Sequence, residues 1–253
     1  MRIEFIGISG LSGSGKTSAA NAIAAKKGGK CLLVSCDRYY ANPPAGWAPE
    51  QIAARNYDHP ENIDSALLAE HLQALKEGKP VDMPQYCFLT HKRKTETTRV
   101  DPKDIDTIIV EGILVLHFPE LQDMFNIRIF VDAPKDICLM RRVMRDMAER
   151  GRSVEQVFTQ YGETVRPMLQ KFISPSKNTA DVILTNSNAH YSTAPKLEME
   201  AVFSLLENMK TNNYMKSPLI RLSLMPMPKD EKEIYTYELD SDEELTSEVE
   251  FTV

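Results

Sequence analysis

Residues 10–17 read Gly-Leu-Ser-Gly-Ser-Gly-Lys-Thr and match the complete G-x-x-x-x-G-K-[ST] pattern of a phosphate-binding loop. Glycines open backbone torsions that let successive N–H groups converge on one phosphate. Lys16 would place a charge between the β- and γ-phosphates, and the Thr17 hydroxyl is suited to hold Mg²⁺. The apolar run just before the loop predicts a strand, which argues against a mere linking turn. The residues expected to bind the nucleotide phosphates are Gly10, Ser12, Gly13, Ser14, Gly15, Lys16, Thr17 and Ser18.

Two acidic residues each follow a short apolar run. In sheets of this kind, functional groups gather at the carboxyl ends of the strands. Asp37 is therefore a candidate general base that takes the proton of a substrate hydroxyl, and the alternative is a turn cap. Glu111 ends the run Thr-Ile-Ile-Val-Glu and is expected to hold Mg²⁺ together with Thr17. Its alternative is a solvated acid at a strand end.

Five arginines are concentrated between positions 141 and 152, at a predicted helix end and its glycine exit. Arg142, Arg145 and Arg152 would fall close to one face if the helical turn continues, so their guanidinium groups could close over a triphosphate. The segment 141–162 is interpreted as a lid that supplies positive charge. The alternative is an exposed, charge-rich helix whose residues pair along its surface.

The elements that must position these residues alternate between strand and helix. Continuous apolar runs predict buried strands, and continuous rather than alternating apolarity indicates a parallel sheet covered on both faces. Helices are predicted between them. Residues 78–100, rich in β-formers and containing two prolines, predict an inserted β-hairpin. The predicted strands are Ile3–Ser9, Cys31–Ser35, Ile105–Leu116, Ile127–Asp132 and Val182–Thr185, and the predicted helices are Thr17–Lys27, Asp64–Glu77, Pro134–Glu149, Ser153–Phe172 and Ala194–Lys210.

The composition is that of one α/β domain, since 253 residues with 42% hydrophobic content suffice for one substantial core. We interpret residues 1–210 as the catalytic domain and residues 211–253 as an acidic, partly disordered tail. Residues 229–253 contain ten acids against two lysines, so the body carries a slight excess of base. The basic residues form no long stripe typical of nucleic-acid binding. The four cysteines lack metal-site spacing, and no membrane segment or signal peptide is expected, which predicts a cytoplasmic protein.

Several further motifs resemble, in order, the motif series of the uridine-cytidine kinase family. They extend across residues 3–185, and a match to all of them arises by chance far less often than a match to one. After the last predicted strand this chain departs from the family pattern. The motifs are Asp37–Tyr40, Asn56–Pro60, Pro84–Phe88, His91, Val110–Leu114, Arg142–Arg152, Gln160–Tyr161 and Phe172–Lys177.

The resemblance implies a doubly wound parallel sheet of the P-loop NTPase type, with the hairpin and the Arg-rich lid. It implies transfer of the ATP γ-phosphate to the 5′-hydroxyl of uridine or cytidine, giving UMP or CMP, with Mg²⁺ and with a homotetramer as the assembly. The catalytic residues would be Asp37, Lys16, Arg145 and Arg150. The nucleoside would be bound by Tyr40, Asp58, Tyr86, His91, Arg142, Arg152 and Gln160.

Within that implied set, Asp58 and Arg142 would bind the ribose hydroxyls, while Tyr86 and His91 would read the base at its 4-position. A histidine can donate to a 4-oxo group or accept from a 4-amino group. His91 could instead belong to a basic solvated turn, and the tyrosines could be ordinary core-edge aromatics. Two other functions stay open: a kinase of a sugar phosphate or pantothenate on the same scaffold, and a nucleotide sensor without turnover.

Overall fold

A seven-stranded sheet forms the centre of the protein in the computed structural model, which describes residues 3–186, 220–224 and 237–239. Its strand order is β2-β5-β1-β6-β7-β8-β9, and only the last pair is antiparallel. A separate two-stranded sheet contains β3 and β4. The strands are β1 (Glu4–Gly10), β2 (Cys31–Ser35), β3 (Val81–Cys87), β4 (Lys92–Val100), β5 (Thr107–Glu111), β6 (Ile127–Asp132), β7 (Val182–Asn186), β8 (Ile220–Leu224) and β9 (Tyr237–Leu239).

Helices follow most strands of the parallel part. Asp64 caps α3 by accepting from the Leu67 N–H, and Ser153 caps α6 by accepting from the Gln156 N–H, as the sequence predicts. No helix among the described residues has the length and apolarity needed to cross a bilayer. The helices are α1 (Lys16–Lys27), α2 (Pro49–Ala53), α3 (Ser65–Lys76), α4 (Pro119–Gln122), α5 (Lys135–Arg150), α6 (Val154–Gln160) and α7 (Arg166–Met168).

The core lies on both faces of the sheet, which explains the continuous apolar runs of its strands. On one face, Ile6 and Ile8 of β1 pack with Ile23 of α1, and all three side chains are fully buried. On the other face, Phe5 packs within a cluster that includes Leu68 and Leu72 of α3. This two-sided burial confirms the predicted α/β fold and leaves the carboxyl ends of the strands as the edge where a site can form.

The strands β3 and β4 form the antiparallel hairpin expected within residues 78–100. Its register shifts between Pro84 and Tyr86, and such an irregularity changes the direction of the following side chain. Arg93 of β4 ties the hairpin to the segment after β2, because its guanidinium donates to the carbonyls of Tyr39 and Tyr40, both at 2.9 Å. The hairpin is thereby held beside the residues that follow Asp37.

Some predicted boundaries were wrong. The strand expected over Ile105–Leu116 is only Thr107–Glu111, because a short 3₁₀ turn precedes it and turns follow it. The helix expected over Ser153–Phe172 is instead interrupted by π-helical turns at Tyr161–Val165 and Leu169–Ile173. Regular helical spacing in the sequence does not reveal such an inserted residue.

The C-terminal part contains strands that the sequence reading did not include. β8 and β9 lie within residues 211–253, the segment interpreted as a tail, and β8 pairs in parallel with β7. The predicted helix 194–210 and the rest of that segment lie outside the described residues. The domain boundary at residue 210 therefore stays a prediction.

Candidate active site

A single cleft at the carboxyl ends of the parallel strands brings together side chains from distant parts of the sequence. Fourteen predicted site residues line it, while Gly10, Gly13, Ser14, Gly15 and Ser18 do not. The predicted residues in the lining are Ser12, Lys16, Thr17, Asp37, Tyr40, Asp58, Tyr86, His91, Glu111, Arg142, Arg145, Arg150, Arg152 and Gln160; Tyr57, Phe88, Gly112 and Ile113 complete it.

The phosphate-loop motif connects β1 to α1 and depends on glycine at two close approaches. Gly13 has φ +86°, and a Cβ there would lie 2.4 Å from the Cys138 carbonyl oxygen. At Gly10, with φ +143°, a Cβ would lie 2.3 Å from the Val131 carbonyl oxygen. Any larger residue would displace the loop, because these neighbours are backbone atoms. The loop thus packs tightly against β6 and α5.

Two buried polar groups hold the loop from within. The Lys16 ammonium donates to the Leu11 carbonyl at 2.8 Å, and Asn186 at the end of β7 donates to the Ser14 carbonyl at 2.8 Å. Burial lowers the pKa of Lys16, although the nearby Glu111 and Asp37 carboxylates oppose that shift. Both contacts fix the loop before any nucleotide binds.

Glu111, at the end of β5, is buried close to the loop. Burial raises the pKa of its carboxyl group, while Lys16 and the Ser35 and Thr17 hydroxyls oppose the shift. The pair Glu111 and Thr17 offers the hard oxygen ligands that suit Mg²⁺, which usually takes few protein ligands and several from phosphates and water. In the described residues, no cluster of three or more His, Cys, Asp or Glu side chains suits a metal. The oxygen atoms of Glu111 and Thr17 are of the kind that fits a magnesium ion carried by its nucleotide.

Asp37 lies in a 3₁₀ turn that directly follows β2. The cap of this turn is Ser35, whose hydroxyl accepts from the Asp37 N–H at 3.4 Å, so Asp37 itself does not cap it. Its carboxylate lines the cleft together with Lys16 and Glu111. The position suits a base acting on a hydroxyl that faces the nucleotide phosphates.

Asp58 and Arg142 form a buried pair across the cleft. Their side chains are 5% and 6% exposed, and the Arg142 Nη1 lies 3.8 Å from the Asp58 Oδ1. Burial raises the pKa of Asp58, and Arg142 opposes the shift. Because 3.8 Å is too long for a hydrogen bond, both groups retain capacity for a ligand placed between them. A vicinal diol satisfies a carboxylate and a guanidinium in this way.

Aromatic rings form the wall opposite the phosphate loop. Tyr40 packs against Tyr57 and Tyr86, with centroid distances of 5.8 and 5.2 Å, and His91 stacks on Tyr57 at 4.9 Å. The buried Tyr86 hydroxyl has no hydrogen-bond partner of good geometry among the described residues. Phe88 stands next to Tyr86 and also lines the cleft. The Tyr57 and Tyr86 hydroxyls interact with each other, and the wall offers flat surfaces for a ring.

His91 lies in the hairpin turn with φ +56°, and no other non-glycine residue in the described part of the chain has a positive φ. This conformation is costly and is often found at functional sites. Burial lowers the pKa of His91, and the Arg152 and Arg150 guanidiniums lower it further. The ring is thus neutral near pH 7 and can either donate or accept.

The arginine segment is the end of α5 and its exit. Arg145 donates to the Ser12 hydroxyl at 3.3 Å, which joins the segment to the phosphate loop. Arg142 and Arg152 both donate to the Gln160 Oε1. Four of the five arginines, Arg142, Arg145, Arg150 and Arg152, line the cleft, so the exposed-helix alternative does not describe their positions.

Sequence reasoning missed four residues that shape the site. Tyr57 and Phe88 lie within recognised motifs but had no role assigned to them. Asn186 gave no signal, because its contact with the loop joins residues 172 positions apart. Asp146 belongs to the segment for which the sequence left an exposed, charge-paired helix open, yet its side chain is fully buried beneath the arginines. Its position one turn before a glycine exit was the only available sign.

Comparisons with known proteins show the family of this chain. Residues 5–191 match the model of the phosphoribulokinase/uridine kinase family. The uridine kinase of Escherichia coli strain K12 is 46% identical over 183 residues, which cover 71% of this chain and 85% of that protein.

Among solved structures, a putative fructose transport system kinase from Silicibacter has a TM-score of 0.56 at 18% identity, covering 70% of this chain and 85% of that chain. Phosphoribulokinase from Rhodobacter spheroides has a TM-score of 0.56 at 16% identity, with 77% and 75% covered. At these identities the two structures support the fold alone.

Proposed function

Since the chain belongs to the phosphoribulokinase/uridine kinase family and is a phosphotransferase, we propose that it transfers the γ-phosphate of ATP to the 5′-hydroxyl of uridine and cytidine. The family and the relatives support ATP as the donor and a nucleoside kinase activity. The products would be UMP and CMP, as in pyrimidine salvage. A cytoplasmic location and a homotetramer are further expectations from the resemblance.

The proposal rests chiefly on one observation: the buried Asp58–Arg142 pair and the aromatic wall share a cleft with the phosphate loop. A nucleoside combines a ribose diol with a flat base. The diol suits the Asp58–Arg142 pair, and the base suits the aromatic wall. A phosphorylated acceptor would need cations where Asp58, Tyr86 and His91 stand. The observation therefore favours a nucleoside over a sugar phosphate.

Each side chain then has a chemical role. Asp37 accepts the proton of the 5′-hydroxyl as that oxygen attacks the γ-phosphorus, while the bond from this phosphorus to the β–γ bridging oxygen breaks and ADP leaves. Lys16, Arg145 and Arg150 offset the negative charge that spreads over the transferring phosphoryl group. Asp58 and Arg142 hold the ribose, which fixes the 5′-hydroxyl toward Asp37. Tyr40, Tyr86 and His91 place the base, while Arg152 and Gln160 make further contacts with the substrate.

Magnesium would be held by Thr17 and Glu111, with the remaining ligands from phosphates and water. When bound, the ion would neutralise part of the negative charge of the nucleotide phosphates. Glu111 must be ionised for this role. Burial raises the pKa of its carboxyl group, and a bound magnesium ion would oppose that shift because its charge favours the ionised form.

The test is a steady-state comparison of acceptors with ATP and GTP as donors. We expect uridine and cytidine to be phosphorylated with kcat/KM far above adenosine or ribose 5-phosphate. A sugar phosphate as the best acceptor would replace this proposal with the alternative kinase. Nucleotide binding without transfer to any acceptor would instead indicate a nucleotide sensor.

A further inference from the structure

Asp146 lies at the centre of the arginine segment, four residues before the end of α5. Its side chain is fully buried, and Arg145 donates to its Oδ1 from Nε at 2.9 Å and from Nη2 at 2.8 Å. Arg150 Nη1 lies 3.4 Å from the same oxygen. Arg142 Nε and Arg152 Nη1 each lie 3.6 Å from Oδ2. Four guanidinium groups thus surround one carboxylate.

The main chain of Asp146 produces the turn that makes this cluster possible. Its carbonyl accepts from the N–H groups of Gly151 and Arg152, the latter at 3.1 Å, and Gly151 adopts φ +64°. This glycine exit reverses the chain and returns Arg152 toward the helix. A change of the Asp146 side chain would leave this backbone arrangement intact.

The carboxylate does not line the cleft, so it acts through the arginines that do. Burial alone would raise the pKa of Asp146, but Arg145, Arg150 and Arg142 outweigh it and hold the pKa below the ordinary value. Four like charges at this spacing repel one another unless a negative charge lies among them. Asp146 supplies that charge while leaving an excess of positive charge facing the cleft.

We propose that Asp146 is the positioning residue of the lid, and that its carboxylate holds the guanidinium groups in place over the phosphates before the nucleotide binds. The inference rests on the proposed kinase function. Charges preorganised where negative charge develops accelerate transfer more than charges that must first be gathered.

Loss of the Asp146 carboxylate should affect mainly the arginines on the phosphate side of the lid. Arg142 and Arg152 have a second anchor in the Gln160 Oε1, which accepts from both. Arg145 relies on Asp146 and on a longer contact to Ser12 at 3.3 Å. Arg150 relies on Asp146 and on the Phe88 ring, whose centroid lies 4.4 Å from its Cζ. Loss of the carboxylate therefore releases Arg145 and Arg150 before the arginines that face the nucleoside.

The test compares Asp146→Asn with Glu149→Gln, which removes an exposed carboxylate from the same helix. For Asp146→Asn we expect kcat to fall about 10- to 100-fold, the usual effect of losing a group that orients catalytic ligands. The nucleoside KM should stay within about threefold, because Gln160 still holds the arginines on that side. Glu149→Gln should change neither constant. A kcat within threefold of wild type would overturn the proposal.

A double-variant cycle with Arg150→Gln separates positioning from a general loss of structure. If Asp146 acts through Arg150, the fold decrease in kcat of the double variant should be much smaller than the product of the fold decreases of the two single variants. Losses that multiply fully would overturn the proposal. If Asp146→Asn does not fold, Asp146→Ser, which also removes the carboxylate, replaces it in the same cycle, and an unchanged kcat there would overturn the proposal.

The proposed function is tested separately by the wild type. If wild-type protein phosphorylates neither uridine nor cytidine, the proposed acceptor is wrong. In that case the variants are compared by their rates of ATP hydrolysis. A wrong acceptor and a wrong role for Asp146 can then be told apart.

Discussion

The proposed donor side of the site and its proposed acceptor side are built in different ways. The donor side is the phosphate loop, residues 10–17, and the acceptor side comprises Asp37, Asp58, Tyr86, His91 and Arg142. The donor side is one continuous stretch of backbone whose shape depends on glycine and on packing against β6 and α5. The acceptor side consists of side chains from separate segments, placed by a hairpin, a 3₁₀ turn and a helix. Under the proposed function, phosphate binding depends on local sequence, and the choice of acceptor depends on the tertiary structure.

The strongest way to separate the two sides is Asp37→Asn. Loss of the base should lower kcat about 10²- to 10⁴-fold, the range typical of general acid–base catalysis. The binding constant for ATP should stay near wild type, because the loop does not depend on Asp37. Steady-state kinetics and ATP titration check this, with the exposed Asp104→Asn as the control. Full activity would remove Asp37 from the mechanism.

Asp58→Asn should affect the acceptor side alone. The nucleoside KM should rise about 10- to 100-fold, because hydrogen bonds to charged groups contribute about 1.5–3 kcal/mol. The KM for ATP should not change. The melting temperature should not fall by much, since burial already disfavours the Asp58 charge and Arg142 keeps Asp146 and Gln160 as partners. An equal rise in both KM values would show that the two sides are not independent.

Asn186→Ala tests the support that the end of β7 gives to the phosphate loop. It removes the donor to the Ser14 carbonyl, and a lost neutral hydrogen bond costs about 1 kcal/mol. The KM for ATP should therefore rise about fivefold, while the nucleoside KM remains constant. Asn178→Ala, at an exposed position, is the matched control. A larger rise in the nucleoside KM would contradict a loop-specific role.

The smallest expected effect is a pH-dependent change in base preference. The folded-state pKa of His91 lies below the ordinary value of about 6.5, so the ring gains its proton only as the pH falls further. A protonated ring can donate to a 4-oxo group but cannot accept from a 4-amino group. The ratio of cytidine KM to uridine KM should therefore rise a fewfold between pH 7 and pH 5, and His91→Gln should abolish this trend.

Much of the fold could be predicted because its signals are local. The buried strands appear as apolar runs, and Asp64 and Ser153 cap helices as their positions suggest. The predicted strand ran past the end of β5 because Leu114, Val115 and Leu116 are apolar and buried although they lie in turns. The π-helical turns were missed because an inserted residue leaves the apolar pattern almost unchanged. β8 and β9 complete the sheet from a segment whose composition suggested a tail.

The sequence by itself determined the phosphate loop, since eight consecutive residues contain both its backbone freedom and its charge. Only the tertiary structure placed Asp58 against Arg142 and Asn186 against Ser14, because these pairs are far apart in the chain. It also converted Asp146 from a surface acid into the buried partner of four arginines. Burial changes what a charge does, and burial is decided only when the chain is folded.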